Sequence, residues 1–491
     1  MMVGWLVLIL ALAPLLAVLG CVATRRPRVS EKLNLFASVI SFAAALPLPF
    51  LTGARAVFFL NGYVIVDRMG AWVVLCTAIV YALSSIYAVG YMRLLGEDAR
   101  LADFYALFAG FALTTLVAPL MNNVGIYWIA IELTTLVSTF LVAFERAAES
   151  MEATWKYIMA VSAGITLALL GTVLFYWGGT FVFGPTYQMT WAALARAAPK
   201  IDPVLMNLAF LLVLVGYGTK VGLAPMHNWL PDAHSESPAP VSAMLSGALL
   251  NTAIIGIARF LGVMHSAQLG ALSAFALVVL GVLSLLIGAL FIVRQRGIKR
   301  LMAYSSVEHM GVIALGLGFG GPLGIAGALY HMLNHSLNKA LMFFGAGVMM
   351  RAYGTKEIEK IRGVFTHFPR SGALWLAGAV AITGAPPFGL FMSEFAIMRA
   401  GMTPRFSWAV YVMAVLLIVI FIGFLNHFRA MYYDNAEDGG KTGYPAKTEG
   451  VWCIVPMGLA LVPLLVFGLW WPPDLWLYLA SIAHSLSPVT P

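Results

Sequence analysis

The sequence predicts an all-α, multi-pass membrane protein of about fourteen transmembrane helices, and three observations carry that prediction. Hydrophobic residues fill 61% of the 491 positions and charged residues only 10%, with a mean hydropathy of +0.90, which leaves too little polar surface to cover a soluble globule. The apolar residues come in runs of about 20, the length a helix needs to cross a bilayer. Those runs lack the short alternating segments of a membrane barrel, so each must satisfy its own backbone as a helix.

Taken in order, the first run, 2–22, could be mistaken for a secretory signal. No basic residue precedes it, Arg25, Arg26 and Arg28 follow it, and no A-x-A site stands ahead of a soluble domain, so it reads as a retained span. Spans 2 to 6 are 33–52, 70–92, 102–120, 122–143 and 155–179. Span 7, 204–229, holds Lys220 with Pro225 five residues later. Spans 8 to 11 are 239–263, 270–293, 299–318 and 321–350; span 12, 371–400, contains Pro386 and Pro387; 407–431 and 451–471 are spans 13 and 14. A proline removes a donor and frees a carbonyl, so spans 7 and 12 read as broken helices. Five spans apart, they cross the membrane in opposite directions, which predicts inverted five-helix repeats, spans 4–8 against 9–13. The chain then divides into 1–101, 102–263, 264–431 and 432–491, the last holding the polar loop "YYDNAEDGGKTGYPAKTEG" and span 14.

The formal net charge is +8, but the basic residues are spread over membrane loops rather than gathered in one stripe, which argues against nucleic acid. Most follow odd-numbered spans, in "RRPRVSEK", "RQRGIKR" and "RAYGTKEIEKIR", so those loops are expected in the cytoplasm and both termini outside. Cys21, Cys76 and Cys453 stand far apart with no C-x-x-C, which points away from an iron–sulfur cluster or c-type haem in this chain. "GLGFGG" fits G-x-G-x-x-G, yet it follows a membrane helix rather than a strand and reads as a tight loop between spans. No cofactor and no metal is expected here.

The informative residues are the ionisable ones inside spans, because a charge at mid-bilayer costs about 2.5–3.5 kcal/mol and normally faces protein or water along an ion path. They are Glu132, Lys220, Arg259, Glu308, His309, His331, His335, Lys339 and Glu394. His331, His335 and Lys339 recur at i, i+4 and i+8, one face of a helix, and imidazoles relay protons near neutral pH. Glu308 and His309 are neighbours about 100° apart on a helix, so one of them is expected to face packing; His309 is kept as a possible path residue. His227 could stand at a channel mouth, and His234 reads as a cap. Asp67 and Asp103 read as interfacial anchors. Two blander readings exist: a salt bridge between helices for Lys220 and Glu132, and a metal pair for His331 and His335, against which stands the lack of H-E-x-x-H.

"KVGLAPMHNWLPDAHSESPAPVSAMLSGALLNTA", "IKRLMAYSSVEHMG", "LNHSLNKALMFF" and "PPFGLFMSEF" resemble the antiporter-like membrane subunits shared by complex I, multisubunit cation/proton antiporters and membrane-bound hydrogenases, over spans 3 to 13. "GYMR", "NNVGIYWIAIELTTLVSTFLV", "EATWKYI" and "PDAHSESPAPVSAMLS" are similar to the antiporter-like F component of hydrogenase-4 and formate hydrogenlyase complexes. The resemblance implies that Glu132 and Lys220 form a gating ion pair on spans 5 and 7, and that His331, His335 and Lys339 form a central polar axis on span 11. It also implies that Glu394 is the last charged residue of the row. Arg259 falls about where many members carry lysine; a guanidinium holds its proton, so an electrostatic switch is implied there.

The function so implied is proton translocation in a cytoplasmic membrane of a prokaryote, within a redox-driven oxidoreductase complex. The [NiFe] centre and iron–sulfur clusters would belong to a peripheral hydrogenase arm, and the other partners would be membrane subunits and lipid. The alternatives are a subunit of a Na+/H+ antiporter, a complex I subunit, and a purely structural membrane anchor.

Overall fold

The computed structural model describes residues 2–53, 55–95, 100–433 and 450–486. The polar loop expected before span 14 lies outside the described residues from 434 to 449. In chain order, the helices of eight residues or more begin with α1 (Met2–Thr24), α2 (Pro27–Ala45), α3 (Arg68–Leu95), α4 (Leu101–Val117), α5 (Val124–Val142) and α6 (Ala148–Phe183). They continue with α7 (Pro203–Val221), α8 (Trp229–Glu236), α9 (Ala239–Ser266), α10 (Gly270–Val293), α11 (Ile298–Phe319) and α12 (Gly321–Tyr353). The last are α13 (Pro369–Ile382), α14 (Gly389–Gly401), α15 (Ser407–Tyr433), α16 (Val451–Leu469) and α17 (Pro473–Leu486).

Eleven described helices are long and apolar enough to cross a membrane by length and composition. The expected fourteen would add α11, α12 and the α13–α14 pair. The first two carry polar residues that lower their hydropathy, and the third is divided into two helices too short to span alone. The sequence did not foresee α17 or the small antiparallel hairpin of β1 (Val57–Phe59) and β2 (Val64–Val66), which pairs Val57 with Val66 and Phe59 with Val64.

Local chemistry starts several helices. Asn123 caps α5, its side chain accepting from the Gly125 and Ile126 amides at 3.0 and 3.1 Å, and Asp202 caps α7 ahead of Pro203 at its first position, both satisfying orphan donors. The apolar window of α9 is 100% buried and that of α3 83%, against 22% for α1, so the centre of the bundle is α3, α9, α11 and α12. Outer helices turn Leu16, Phe140, Trp155 and Phe181 outward, as lipid-facing surfaces do. Close packing of α10 on α11 depends on small residues: a Cβ at Gly281 would come within 2.9 Å of the Gly311 carbonyl.

Both expected helix breaks are present, with a correction to the first. Glycine rather than Pro225 ends α7: Gly222 takes φ +80, and the Leu223 amide donates back to the Gly218 carbonyl at 2.9 Å, the closure that a left-handed glycine permits. Pro225 lies in the loop to α8. α13 ends at Ile382, Gly384 turns the chain at φ +65, and Pro386 and Pro387 lead into α14. α9 carries a wider π turn at Leu245–Leu249, a form frequent at functional sites. In "GLGFGG", Gly316 and Gly318 belong to α11, and Gly320 and Gly321 turn the chain into α12.

Candidate functional site

Lys220 lies in the last turn of α7 and is wholly buried. Its ammonium donates to Thr135 Oγ1 at 2.8 Å and to Tyr157 Oη at 2.9 Å, and stands 5.2 Å from the Tyr157 ring centre, a cation–π distance. Thr135 in turn donates to Glu132 Oε2 at 3.3 Å, and Ser162 donates to Glu132 Oε1 at 3.0 Å. Lys220 and Glu132 are therefore joined through one shared hydroxyl, with no direct ion pair between them among the described residues. The implied contact pair is open in this state because Thr135, one turn after Glu132, takes the ammonium first. Ser138 Oγ donates to the Thr134 carbonyl at 2.6 Å, so Tyr157, which accepts from Lys220, is the donor in its 2.7 Å hydrogen bond to Ser138.

A second polar group fills the space between α11, α12 and α14. His331, His335 and Lys339 are all wholly buried on α12, along one face as their spacing predicts. Lys339 donates to the Met302 carbonyl at 3.2 Å and makes a short hydrogen bond to Ser305 Oγ, both on α11. His309 Nδ1 lies 3.1 Å from His331 Nε2, and His331 Nδ1 lies 2.9 Å from Ser393 Oγ on α14. The ring of His335 is 5.5 Å from that of His309, and neither of its nitrogens has a partner among the described residues. Glu394 is buried beside the α13–α14 break, where a Cβ on Gly384 would come within 2.0 Å of its Oε2. With φ at +65, the position favours glycine, and the carboxylate occupies the space a side chain there would take.

Ligand-capable atoms of His309, His331 and Glu394 lie within 4.8 Å of one another. Three of the four ring nitrogens in this trio are engaged along the line from His309 through His331 to Ser393, at 3.1 Å or less. The fourth, His309 Nε2, faces Glu308 at 3.4 Å. The arrangement is that of a hydrogen-bond relay, in which each imidazole receives on one nitrogen and gives from the other.

Arg259 stands apart from both groups. Its guanidinium pairs in two-pronged fashion with Asp67, at 2.8 and 3.0 Å, reaches the Pro119 carbonyl at 3.3 Å, and lies 5.5 Å from the Trp191 ring. It ties α9 to the start of α3 and to the chain ahead of α5. Asp67, expected as an interfacial anchor, is its counter-ion. His227 is buried in the break after α7, edge-on to Tyr304 at 6.3 Å, with Nδ1 unpartnered among the described residues.

Several residues were undervalued by sequence reasoning. His234, expected to cap a segment, is wholly buried with both nitrogens unpartnered among the described residues. It stacks on Phe343 at 5.3 Å and is close enough to Lys299, Lys339 and His335 to interact electrostatically with each. Lys299, assigned to a basic loop, is buried and donates to the Ser235 carbonyl at 3.1 Å and to that of Ser237. The Ile298 amide, at the start of α11, donates to the Lys356 carbonyl at 2.9 Å. Asn251 is buried on α9 and donates to Ser336 Oγ at 2.8 Å, next to His335. Glu308 is buried together with His309 rather than facing packing alone. The one available signal was repetition: "HSES" and "SSVEH" set acids, imidazoles and hydroxyls side by side within apolar surroundings.

Residues 121–423 match the family described as "NADH:quinone oxidoreductase/Mrp antiporter, TM". The chain is 38% identical over 380 residues to the hydrogenase-4 component F homolog of Methylacidiphilum infernorum, covering 76% of this chain and 79% of that protein. Its fold is similar to a chain of an archaeal respiratory complex, the membrane-bound sulfane sulfur reductase, with a TM-score of 0.87 at 21% identity, covering 97% of each chain. It is also similar to a chain of the Mrp complex of a Dietzia species, with a TM-score of 0.85 at 21% identity over 99% of this chain and 98% of that one. The chain belongs to the antiporter-like membrane subunits of the NADH:quinone oxidoreductase/Mrp family.

Proposed function

We propose that this antiporter-like subunit moves protons through the membrane interior as part of a redox-driven complex of the hydrogenase-4 or formate hydrogenlyase kind. The observation that carries it is the polar row inside the bundle: half-buried Glu132 with buried Thr135 and Lys220 at one end, buried Lys339, His335, His331 and His309 in the middle, and buried Glu394 at the other. Ionisable groups at such depth are costly and commonly mark an ion path, and hydroxyls and imidazoles between them supply the donor and acceptor sites that a proton needs.

In this reading Lys220 gates. When Glu132 closes on the ammonium, the charge is held; when the pair opens onto Thr135, Lys220 is free to respond to the next group in the row. His234 lies within electrostatic reach of both Lys299 and Lys339 and extends the row there. Arg259 is outside the proton path and fixes the helix on which Asn251 donates to Ser336. The inverted units 102–263 and 264–431 would each supply one broken helix, α7 with α8 and α13 with α14, and both termini would face outward. The [NiFe] centre and iron–sulfur clusters would lie in a peripheral arm held by neighbouring membrane subunits.

The test is purification of the tagged chain from its native membrane in mild detergent, with mass spectrometry of what stays bound. A [NiFe] large subunit with iron–sulfur proteins is the expected result. Small membrane subunits without any redox protein would favour the cation/proton antiporter that the family description also names.

A further inference from the structure

Glu308 lies outside the row from Glu132 to Glu394, yet it is as isolated a carboxyl group as the described residues contain. It is buried on α11, and neither of its oxygens has a hydrogen-bond partner among those residues. Its Oε2 faces His309 Nε2 at 3.4 Å, and a Cβ on Gly288 of α10 would lie 2.8 Å from its own Cβ, so α10 closes it from outside.

The hydrogen bonds beyond His309 fix which way protons point. Ser393 Oγ donates to the Leu390 carbonyl at 2.7 Å, so the proton between His331 and Ser393 is on His331 Nδ1. A neutral imidazole with its proton on Nδ1 accepts at Nε2, so His309 Nδ1 is the donor in the 3.1 Å contact between the two rings. By the same rule His309 Nε2 carries no proton and needs a donor. The atom facing it is a carboxyl oxygen, which can donate only as the neutral acid. A buried carboxyl without partners is also far cheaper neutral than charged.

We propose that Glu308 is a proton-holding site that feeds His331 through His309, a branch of the row carried on α11. The step balances: the Glu308 O–H bond breaks as an N–H bond forms at His309 Nε2, and the His309 Nδ1–H bond breaks as an N–H bond forms at His331 Nε2. It leaves a Glu308 carboxylate and a His331 imidazolium, the latter beside Glu394. At 3.4 Å the first contact is open, and shortening it to an ordinary hydrogen bond of about 2.7–3.0 Å completes the wire. Lys339, within electrostatic reach of Glu308, would stabilise the carboxylate left behind.

This inference rests on the proton-translocation reading, and two measurements separate their failures. The chain, purified with the subunits that accompany it, is reconstituted in liposomes with trapped pyranine and driven by a potassium diffusion potential, as wild type, E308Q and K220A. In parallel, infrared difference spectra under hydrogen/deuterium exchange follow carboxylic acid carbonyl bands. Glutamine keeps the shape and can donate to His309 but cannot pass the proton on. The expected result is loss of most proton flux in E308Q with assembly intact, and loss of one carboxylic acid band. Wild-type flux in E308Q alongside an inactive K220A would overturn the Glu308 assignment while leaving the general reading standing. If K220A also conducts normally, the general reading fails and the infrared band alone decides: its persistence in E308Q overturns Glu308 as a proton holder, and its disappearance supports it.

Discussion

The two ends of the buried row are built differently. Around Lys220 the side-chain atoms of Glu132, Thr135, Ser138, Tyr157 and Ser162 all find partners. Around Glu394 both oxygens of Glu308, one of Glu394, one nitrogen of His309 and both of His335 find none among the described residues. A fully partnered site holds a charge at modest cost, because hydroxyl dipoles replace water. A site whose acids and imidazoles lack partners leaves polar atoms unsatisfied, so any group that supplies hydrogen bonds to them is favoured there. Under the proposed function, the Lys220 end would sense charge and the Glu394 end would store and pass protons.

Thr135 carries the one hydroxyl shared by Glu132 and Lys220. Thr135→Val keeps the volume and removes the bridge, so proton flux should fall roughly ten- to hundredfold, the rate equivalent of a hydrogen bond to a charged group at about 1.5–3 kcal/mol. Thr135→Ser should retain most of it. Flux assays in reconstituted liposomes check both, and equal loss in the serine variant would mean that packing rather than the hydroxyl matters.

A smaller effect sharpens the contrast with Arg259, which belongs to neither end. Arg259→Met leaves Asp67 without its counter-ion, and because the Asp67 side chain keeps 25% exposure, the expected cost is on the order of 2 kcal/mol. It should appear as a lower thermal midpoint of the detergent-purified protein. Flux per assembled complex should hold; a collapse of flux in a well-assembled variant would return Arg259 to the proton path.

Most of the fold was legible because apolar runs of bilayer length leave few alternatives, and the in-span charges pointed to the site for the same reason. What could not be read were pairings across long separations. Asp67 meets Arg259 from 192 residues away, and nothing local to either marks the other. Adjacency misled at Glu308 and His309: neighbours on a helix diverge, but α11 is enclosed on every side along most of its length, so divergence did not send either residue outward. Lys299 was misplaced because a basic cluster suggests a loop, whereas carbonyls at Ser235 and Ser237 draw that one ammonium inside. The proline signal located both breaks to within a few residues, though at α7 the conformational work falls to Gly222.

The most direct test of proton movement along the row is the flux of the reconstituted complex with Lys220→Ala, scored beside native-gel assembly and a sealed-vesicle control. An assembled complex whose proton flux is lost is the expected result. An assembled Lys220→Ala complex that carries protons at the wild-type rate would contradict it.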